Sequence, residues 1–274
     1  QTKWVLLVSV GNGAPNGGSG TQYFIGDFDG KKFSADKPSS KWLEQGKDNY
    51  AGVTFANTKK RTFLGWMSNL QYAQKVPTEV WRSAMTFPRE LVLKSSGGDL
   101  FLASRPVEQI SKIRGKEKNR RQITIKNTLD LSDQVKNYNG QLQLQLYTEQ
   151  IEDYQIILSN DAGEEVIIGF NKRSNQHFID RSKAGKTGFD GGFATKIVAP
   201  RLSESASSDL NLLIDVSSIE LFADDGLTTM TTIMFPHKPY DKLEIRSENG
   251  ITLQSLKLSS LKSIWNGKQA KGNR

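Results

Sequence analysis

The sequence predicts an all-β protein in which two blades of a β-propeller are followed by a β-sandwich. Three observations support this prediction. Short alternating or wholly apolar runs of strand length recur between turn signals along the chain. In roughly the first hundred residues these runs form groups of about four, as in propeller blades. After a change of pattern at Arg105-Pro106, about ten further runs follow in about 150 residues, as in a sandwich.

The first domain is predicted to span residues 1–105. Its strands are predicted at Trp4–Val10, Thr21–Phe28, Lys31–Phe33, Tyr50–Phe55, Thr62–Met67, Glu90–Lys94 and Asp99–Ser104. Asp29-Gly30 is a hairpin signal between two of them, so Asp29 is predicted to be a turn residue. The glycine-rich segment Gly11–Gly20 resembles a phosphate-binding loop, but such loops precede a helix. Because a strand follows it here, a long loop within one blade is the favoured interpretation.

A connector is predicted over residues 106–120. Apolar residues lie at helical spacing in Val107–Arg114, which is predicted to form a short helix, and Pro106 suits its first turn. The basic run Lys112–Lys126 contains no aromatic residue. Because base-stacking surfaces need aromatic side chains, a solvated connector is favoured over nucleic-acid binding.

The second β domain is predicted over residues 121–268. Its strands are predicted at Gln122–Asn127, Gln141–Tyr147, Tyr154–Leu158, Glu165–Asn171, His177–Asp180, Leu210–Asp215, Ser218–Phe222, Thr228–Phe235, Lys242–Ser247 and Ile251–Leu258. Strict alternation in Gln141–Tyr147 is typical of a strand with one buried face. Asn249-Gly250 is predicted to be a turn. Ser217–Gly226 contains Ser, Glu and Asp but no His, so a strand, a turn and a return strand are favoured over a hydrolytic triad.

Composition excludes several classes of function. The chain has no cysteine, and its two histidines, His177 and His237, lack HExxH spacing, so no metal and no cofactor are predicted. The net charge is +8, but no nucleic-acid partner is predicted. No run approaches the roughly 20 apolar residues of a membrane span, so no membrane partner is predicted either. No signal peptide is visible, and because the chain starts at Gln1 we expect a processed or truncated product.

The segment Gly65–Leu91 is dense in aromatic and polar residues, as the wall of a carbohydrate site would be. The rings of Trp66 and Trp81 have faces that can stack on the C–H surfaces of a sugar. Burial of these rings in the core is an equally open alternative. Asn69 and Gln71 lie between apolar residues, where they can bind sugar hydroxyls or satisfy a neighbouring blade.

Retaining glycosidases need two carboxyl groups about 5–5.5 Å apart. The acidic candidates of the first domain are Asp27, Asp29, Glu44, Asp48, Glu79 and Glu90. Asp48 is the best candidate for a substrate contact, because it stands at a strand entrance that can face the central funnel of a propeller. Solvation at the surface is the open alternative for this residue. Glu90 follows Arg89, so an Arg–Glu structural pair is the favoured interpretation.

Five ordered segments resemble glycoside hydrolase family 32, the β-fructosidases, which include invertases, inulinases and levanases. The segments are WVLLVSVGNGAPNGGSGTQYFIGDFDG, DNYAGVTF, GWMSNLQYA with PTEVWRSAMTFPREL, IIGFNKRSNQHFIDRS, and LNLLIDVSSIELFADDGLTTMTTIMFP. The resemblance covers nearly the whole chain. It implies a five-bladed β-propeller followed by a β-sandwich, with this chain holding the last two blades. A periplasmic or secreted location is favoured for the parent enzyme, and the compartment of this chain stays open.

The resemblance also implies three catalytic carboxylates, in NDPNG, RDP and Glu-Cys motifs. The sequence contains none of the three, so no catalytic residue is assigned and the chain alone is predicted to be inactive. The positions that match pocket-facing parts of the family pattern are Asp48, Tyr50, Trp66 and Asn69, which are the predicted substrate-binding residues. Leu70 departs from the family pattern, in which many members have Trp, and this change can alter the pocket wall.

Two hypotheses for function follow. The first is the C-terminal part of a β-fructosidase whose parent cleaves sucrose, inulin or levan. The alternative is a non-catalytic carbohydrate-binding module for fructan, or a purely structural β module. The predicted partners are a fructan or sucrose-type carbohydrate and either the missing N-terminal propeller part or a second copy bound through exposed edge strands.

Overall fold

The computed structural model describes residues 2–264 and arranges the strands of this part of the chain in three antiparallel sheets. The first sheet contains β1 Trp4–Val10, β2 Gly20–Phe28, β3 Phe33–Ala35 and β4 Lys41–Trp42. Its order is β1-β2-β3, and β4 pairs with another part of β2. The loop between β1 and β2 is the glycine-rich segment, as predicted. The Asp29 carboxylate accepts hydrogen bonds from the N–H groups of Lys31 and Lys32, which confirms the predicted turn.

The second sheet contains β5 Tyr50–Thr54, β6 Thr62–Met67, β7 Ala84–Met85, β8 Arg89–Ser96 and β9 Asp99–Pro106. Its order is β5-β6-β8-β9, with β7 beside β6. Buried side chains from both sheets form one apolar cluster, in which Tyr23 and Leu43 meet Phe63, Leu91 and Leu102. The first two sheets therefore pack on each other, as neighbouring blades would.

The connector region contains the predicted helix but is shorter than expected. A 3-10 helix spans Glu108–Ile113 and buries Ile110. The next strand, β10, begins at Lys118 and runs to Asp130, so the predicted connector of residues 106–120 ends inside a strand. Much of the basic run Lys112–Lys126 thus belongs to a sheet. The charges of this run predicted a solvated connector, which is wrong for the residues of β10. A strand at the surface of a sheet can also carry charged side chains along its outer face.

The third sheet has ten strands, which include β10. The remaining elements are the short helix α1 Ser132–Val135 and β11 Leu142–Thr148, β12 Tyr154–Ser159, β13 Glu165–Asn171, β14 Gln176–Lys183, β15 Lys196–Pro200, β16 Ser208–Asp215, β17 Ser218–Ala223, β18 Thr228–Ile233 and β19 Lys242–Ser260. The order is β15-β14-β13-β12-β19-β11-β16-β17-β18, and β10 lies on β19.

The long strand β19 makes this sheet fold over on itself. Its first part pairs with β12 and its last part with β11, while β10 follows it on both sides of a bulge near Asn127. Asn249-Gly250, predicted to be a turn, is a bend within this one strand, with Gly250 at φ +79°. The two halves of the sheet enclose a single core, to which Ile156 and Leu212 belong.

The two ends of the third sheet approach each other. The hydroxyl of Thr228 on β18 donates a hydrogen bond to the carbonyl of Pro200 on β15 at 2.9 Å. The strand β15 was missed by sequence reasoning, since it is short and ends in a proline, as edge strands do. The sheet is nearly closed around its core. It occupies the β-sandwich region predicted at 121–268, of which residues 265–268 lie outside the described part of the chain.

Helices contribute little to the described part of the chain. Within residues 2–264 no helix has the length and apolar character that crossing a membrane requires.

Candidate functional site

The first two sheets meet the third across an interface that contains buried charges. Arg89 on β8 donates to the carboxylate of Glu44 at 2.8 Å and to that of Glu220, on β17 of the third sheet, at 2.6 Å. All three side chains are buried. The predicted Arg89–Glu90 pair is wrong, because successive side chains of a strand point to opposite faces. Glu90 instead pairs near the surface with Lys60.

Glu44 connects several groups around this network. Its carboxylate accepts hydrogen bonds from the N–H and the hydroxyl of Thr231, and from the side-chain amide of Asn49. The polar atoms of a buried carboxylate need such partners, since an unpaired one is costly. The acidic candidate Glu44 is therefore committed to the domain interface.

A second buried network surrounds Asp48. Arg181, on β14 of the third sheet, donates to the Asp48 carboxylate at 2.6 Å, and the N–H of Ile233 donates to the same oxygen at 2.9 Å. The hydroxyl of Tyr72 hydrogen-bonds the other oxygen. Burial, and then the charge of Asp48, raise the pKa of Tyr72 well above its ordinary value. Asp48 is 0% exposed, so its placement favours an interface role over contact with a substrate.

Asn69 is also buried, and both its side-chain oxygen and its side-chain amide form hydrogen bonds within the protein. Its side-chain oxygen accepts from the N–H groups of Ser19 at 3.2 Å and Gln71 at 3.0 Å, and its amide donates to the carbonyl of Lys47 at 2.8 Å. It packs against Gly18, where a Cβ would lie 2.0 Å from the Asn69 oxygen and where φ is +75°. Asn69 therefore pins the glycine-rich loop to the second sheet.

Tyr50 and Trp66 are the predicted site residues that the structure brings together and leaves partly accessible. They are direct register partners on β5 and β6, and their rings form an edge-to-face pair with centroids 6.2 Å apart. Trp81 is 47% exposed, and its ring lies beside Phe235, which follows the end of β18. Whether Asp48, Tyr50, Trp66 and Asn69 touch a substrate stays a prediction.

The glycine-rich loop borders an open depression of about 470 Å³, which Leu70 and Gln71 also line. Lys47 lies beneath it, and sequence reasoning did not select this residue. Its ammonium donates to the side-chain oxygen of Gln71 at 3.1 Å and to the carbonyl of Gly192 at 2.9 Å. Burial, and then the charge of Arg181, lower the pKa of Lys47. In the sequence, only its position directly before Asp48-Asn49 marked Lys47 as a candidate for the site. That position is weak support, because charged residues beside a strand are usually solvated.

The described residues contain no recognisable metal centre. Within residues 2–264, no three His, Asp or Glu side chains come together as metal ligands would.

Comparison with known proteins places this architecture in a family. Residues 1–104 match the model described as Glycosyl hydrolases family 32 N-terminal domain, and residues 109–264 match Glycosyl hydrolases family 32 C terminal. The chain is 35% identical over 276 residues to a levanase from Bacillus subtilis, covering 97% of this chain and 41% of the levanase. It is 32% identical over 284 residues to the extracellular exo-inulinase inuE of Aspergillus niger, covering 97% of this chain and 53% of the inulinase.

Solved structures agree. The exo-inulinase from Aspergillus awamori superposes with a TM-score of 0.84 at 29% identity, covering 97% of this chain and 55% of that one. A β-fructofuranosidase from Schwanniomyces occidentalis gives 0.82 at 25% identity, covering 95% and 57%. The chain thus spans about half the length of the relatives that it matches. Because the C-terminal model alone covers more than half of its residues, the chain belongs to glycosyl hydrolase family 32.

Proposed function

We propose that this chain is the C-terminal part of a β-fructosidase whose parent hydrolyses the fructosyl bonds of sucrose, inulin or levan. One observation carries the proposal. The chain matches the family's N-terminal and C-terminal models in order, while its relatives are about twice as long and its sequence lacks the NDPNG, RDP and Glu-Cys motifs. The extracellular relatives support secretion of the parent.

In this proposal the first two sheets are the last two blades of a five-bladed propeller. The first sheet supports it, because its outer strand presents an apolar face without a covering element among residues 2–264. Trp4 is 54% exposed and Leu6 42% exposed, and the ring of Phe28 lies against Trp4 at 5.3 Å. A preceding blade would bury such a face. The same surface and the edge strands offer a second copy of the chain a place to bind.

We also infer that this chain alone is inactive. Double displacement needs one carboxyl group free to attack and another free to move a proton. The buried carboxylates at the interface are held by arginine: Glu44 and Glu220 by Arg89, and Asp48 by Arg181. A carboxylate whose oxygens are hydrogen-bonded to a buried guanidinium is fixed in place and is not free to attack a sugar.

In the parent enzyme, this chain would supply aromatic side chains that line one side of the substrate-binding site. Tyr50 and Trp66 expose parts of two rings set at 62° to each other, which suits a furanose ring that places C–H groups against one ring and hydroxyls beside the other. The domain interface fixes the position of Tyr50, since the two residues directly before it, Asp48 and Asn49, form hydrogen bonds within the two buried networks.

The test is reconstitution. The 274-residue chain is assayed for fructose release from sucrose, inulin and levan, alone and together with a family 32 N-terminal segment that contains the three motifs. We expect no release by the chain alone and release by the mixture. Enzyme-like turnover by the purified chain alone would overturn the predicted inactivity, and a stable but silent complex would count against the hydrolase role.

The second candidate is a fructan-binding module. The partly exposed rings of Tyr50, Trp66 and Trp81 favour it, because aromatic faces bind sugars without any catalytic group. Titration of the chain with levan or inulin tests this role directly. Absence of heat and of any spectral change at high sugar concentration would leave only the purely structural role for the isolated chain.

A further inference from the structure

A polar notch opens at Gly17, on the loop between β1 and β2. Gly17 has φ +87°, and a Cβ built on it would lie 3.8 Å from the ammonium nitrogen of Lys47 and 3.9 Å from the side-chain oxygen of Gln71. Gly17 and Gln71 also line the open depression described above. Because glycine has no side chain, a small group of a ligand has space at Gly17, next to the Lys47 ammonium and the Gln71 side-chain oxygen.

The two atoms that face this space have opposite hydrogen-bonding roles. An ammonium has three N–H donors, and two of those on Lys47 are directed at Gln71 and the Gly192 carbonyl. Within residues 2–264 Lys47 forms no ion pair with a carboxylate, and besides these two hydrogen bonds its ammonium lies 5.6 Å from the centroid of the Tyr72 ring. An oxygen acceptor offers the third N–H a stronger partner than this distant ring face does. The Gln71 oxygen accepts one hydrogen bond from Lys47 and has a second lone pair.

Both domains build this notch. Gln71 lies against Gly192, where a Cβ would come within 1.9 Å of the Gln71 amide nitrogen. The same amide approaches the Asp190 carboxylate at 3.4 Å, and Asp190 in turn pairs with Lys75 at 2.7 Å. These contacts fix the Gln71 amide with its oxygen toward Lys47 before any ligand arrives, which lowers the entropy lost on binding.

We propose that the Gly17 notch, formed by Lys47 and Gln71, is a binding site for a hydroxyl group of a neutral saccharide. A hydroxyl both accepts and donates, so it accepts a hydrogen bond from the third N–H of Lys47 and donates one to the Gln71 oxygen. An anion is a poorer match, because a phosphate or carboxylate oxygen would face the Gln71 oxygen and the negative charge of Asp190. Gly17 is required there since any side chain would fill the space.

This inference rests on the proposed function only for the sugar class, which is a fructan. In that setting the depression of about 470 Å³ is large enough for more than one sugar ring. The carboxyl-terminal domain then takes part in recognition, because Gly192 and Asp190 hold the amide that selects the ligand.

The test uses the full 274-residue chain labelled for NMR, with a short inulin-type fructo-oligosaccharide and inorganic phosphate as separate probes. We expect the oligosaccharide to shift the amide signals of Gly17, Gly18 and Gly192, and phosphate neither to shift them nor to compete. Gln71→Leu should weaken the oligosaccharide about tenfold, the loss of one well-made hydrogen bond. Gln155→Leu, at an exposed position on β12, is the matched control and should bind as the parent chain does.

Three outcomes would overturn the notch: phosphate binding in place of the sugar, sugar binding unchanged in Gln71→Leu, or no shift at the three glycines. Gln71 is exposed, so its replacement should leave the fold intact. Lys47→Met, which removes the N–H donors of the notch, is a second variant provided that it folds. The assay needs no hydrolysis. Restored hydrolysis without shifts at these glycines would refute the notch alone, and shifts without restored hydrolysis would refute the hydrolase role alone.

Discussion

Arg181 of the third sheet and Asp48 of the loop before β5 form an ion pair of 2.6 Å in which both side chains are 0% exposed. The two residues are 133 positions apart. The Arg181 guanidinium also donates hydrogen bonds to the carbonyls of Phe193 and Ile233 and to the hydroxyl of Tyr72. Such a pair holds two domains in one relative position, since any shift would leave a buried charge without its counter-charge.

Loss of the Asp48 charge should therefore destabilise the chain strongly. Asp48→Asn leaves the Arg181 guanidinium buried and uncompensated, which costs about 3–5 kcal/mol of unfolding free energy. Urea unfolding followed by tryptophan fluorescence measures this cost. The matched control is Asp161→Asn, which breaks an exposed pair with Lys242 and should leave the unfolding free energy close to that of the parent chain, because water screens such a pair. Equal stabilities for the two variants would contradict the interface role.

The close contact between Asn69 and Gly18 should make substitution of Gly18 costly in unfolding free energy. Gly18→Ala places a Cβ 2.0 Å from the Asn69 side-chain oxygen, whereas Gly13→Ala meets nothing within 4 Å. Both glycines have positive φ, +75° and +94°, so both variants share a backbone cost of about 1 kcal/mol. Gly18→Ala should lose roughly 1–3 kcal/mol more, as overpacking does. Thermal unfolding of the two single variants checks the difference, and a Gly13→Ala variant that is the less stable of the two would refute it.

His177 should make the chain sensitive to acid. Its ring is buried beside Phe170, neither ring nitrogen has a hydrogen-bond partner within residues 2–264, and burial, with the nearby charge of Arg201, lowers its pKa to about 3. The unfolded chain, with a His pKa of about 6.5, binds this proton first. Stability is therefore fully present above pH of about 6.5 and falls as the pH drops toward about 3, by up to about 5 kcal/mol.

His177→Leu removes this titration. Its unfolding free energy, measured by urea titration at several pH values, should fall less steeply below pH of about 6.5 than that of the parent chain. The exposed His237, which contacts Glu164, is present in both chains and contributes equally to each. Parallel pH profiles for the two chains would show that His177 is protonated in the folded state or reaches solvent.

The aromatic wall should matter for sugar binding and not for the fold. Trp66→Leu removes one ring of the Tyr50–Trp66 pair on a half-buried surface. We expect fructo-oligosaccharide affinity to fall about three- to tenfold, the usual worth of an aromatic contact. Calorimetric titration measures the affinity. Trp4→Leu, on the apolar face of β1, is the control, and an equal loss in both variants would place the sugar elsewhere.

Local sequence patterns determined the strands of this protein. Alternation in QLQLQLY, Asp29-Gly30 and the glycines after Val10 each specify a backbone state over a few residues, because side-chain period and allowed φ act locally. Only the tertiary structure decided which charges meet. Glu90 is next to Arg89 in the chain, yet the partners of Arg89 are Glu44 and Glu220, 45 and 131 positions away. With 29 acidic residues to choose from, the burial that selects these two exists only once the sheets have packed.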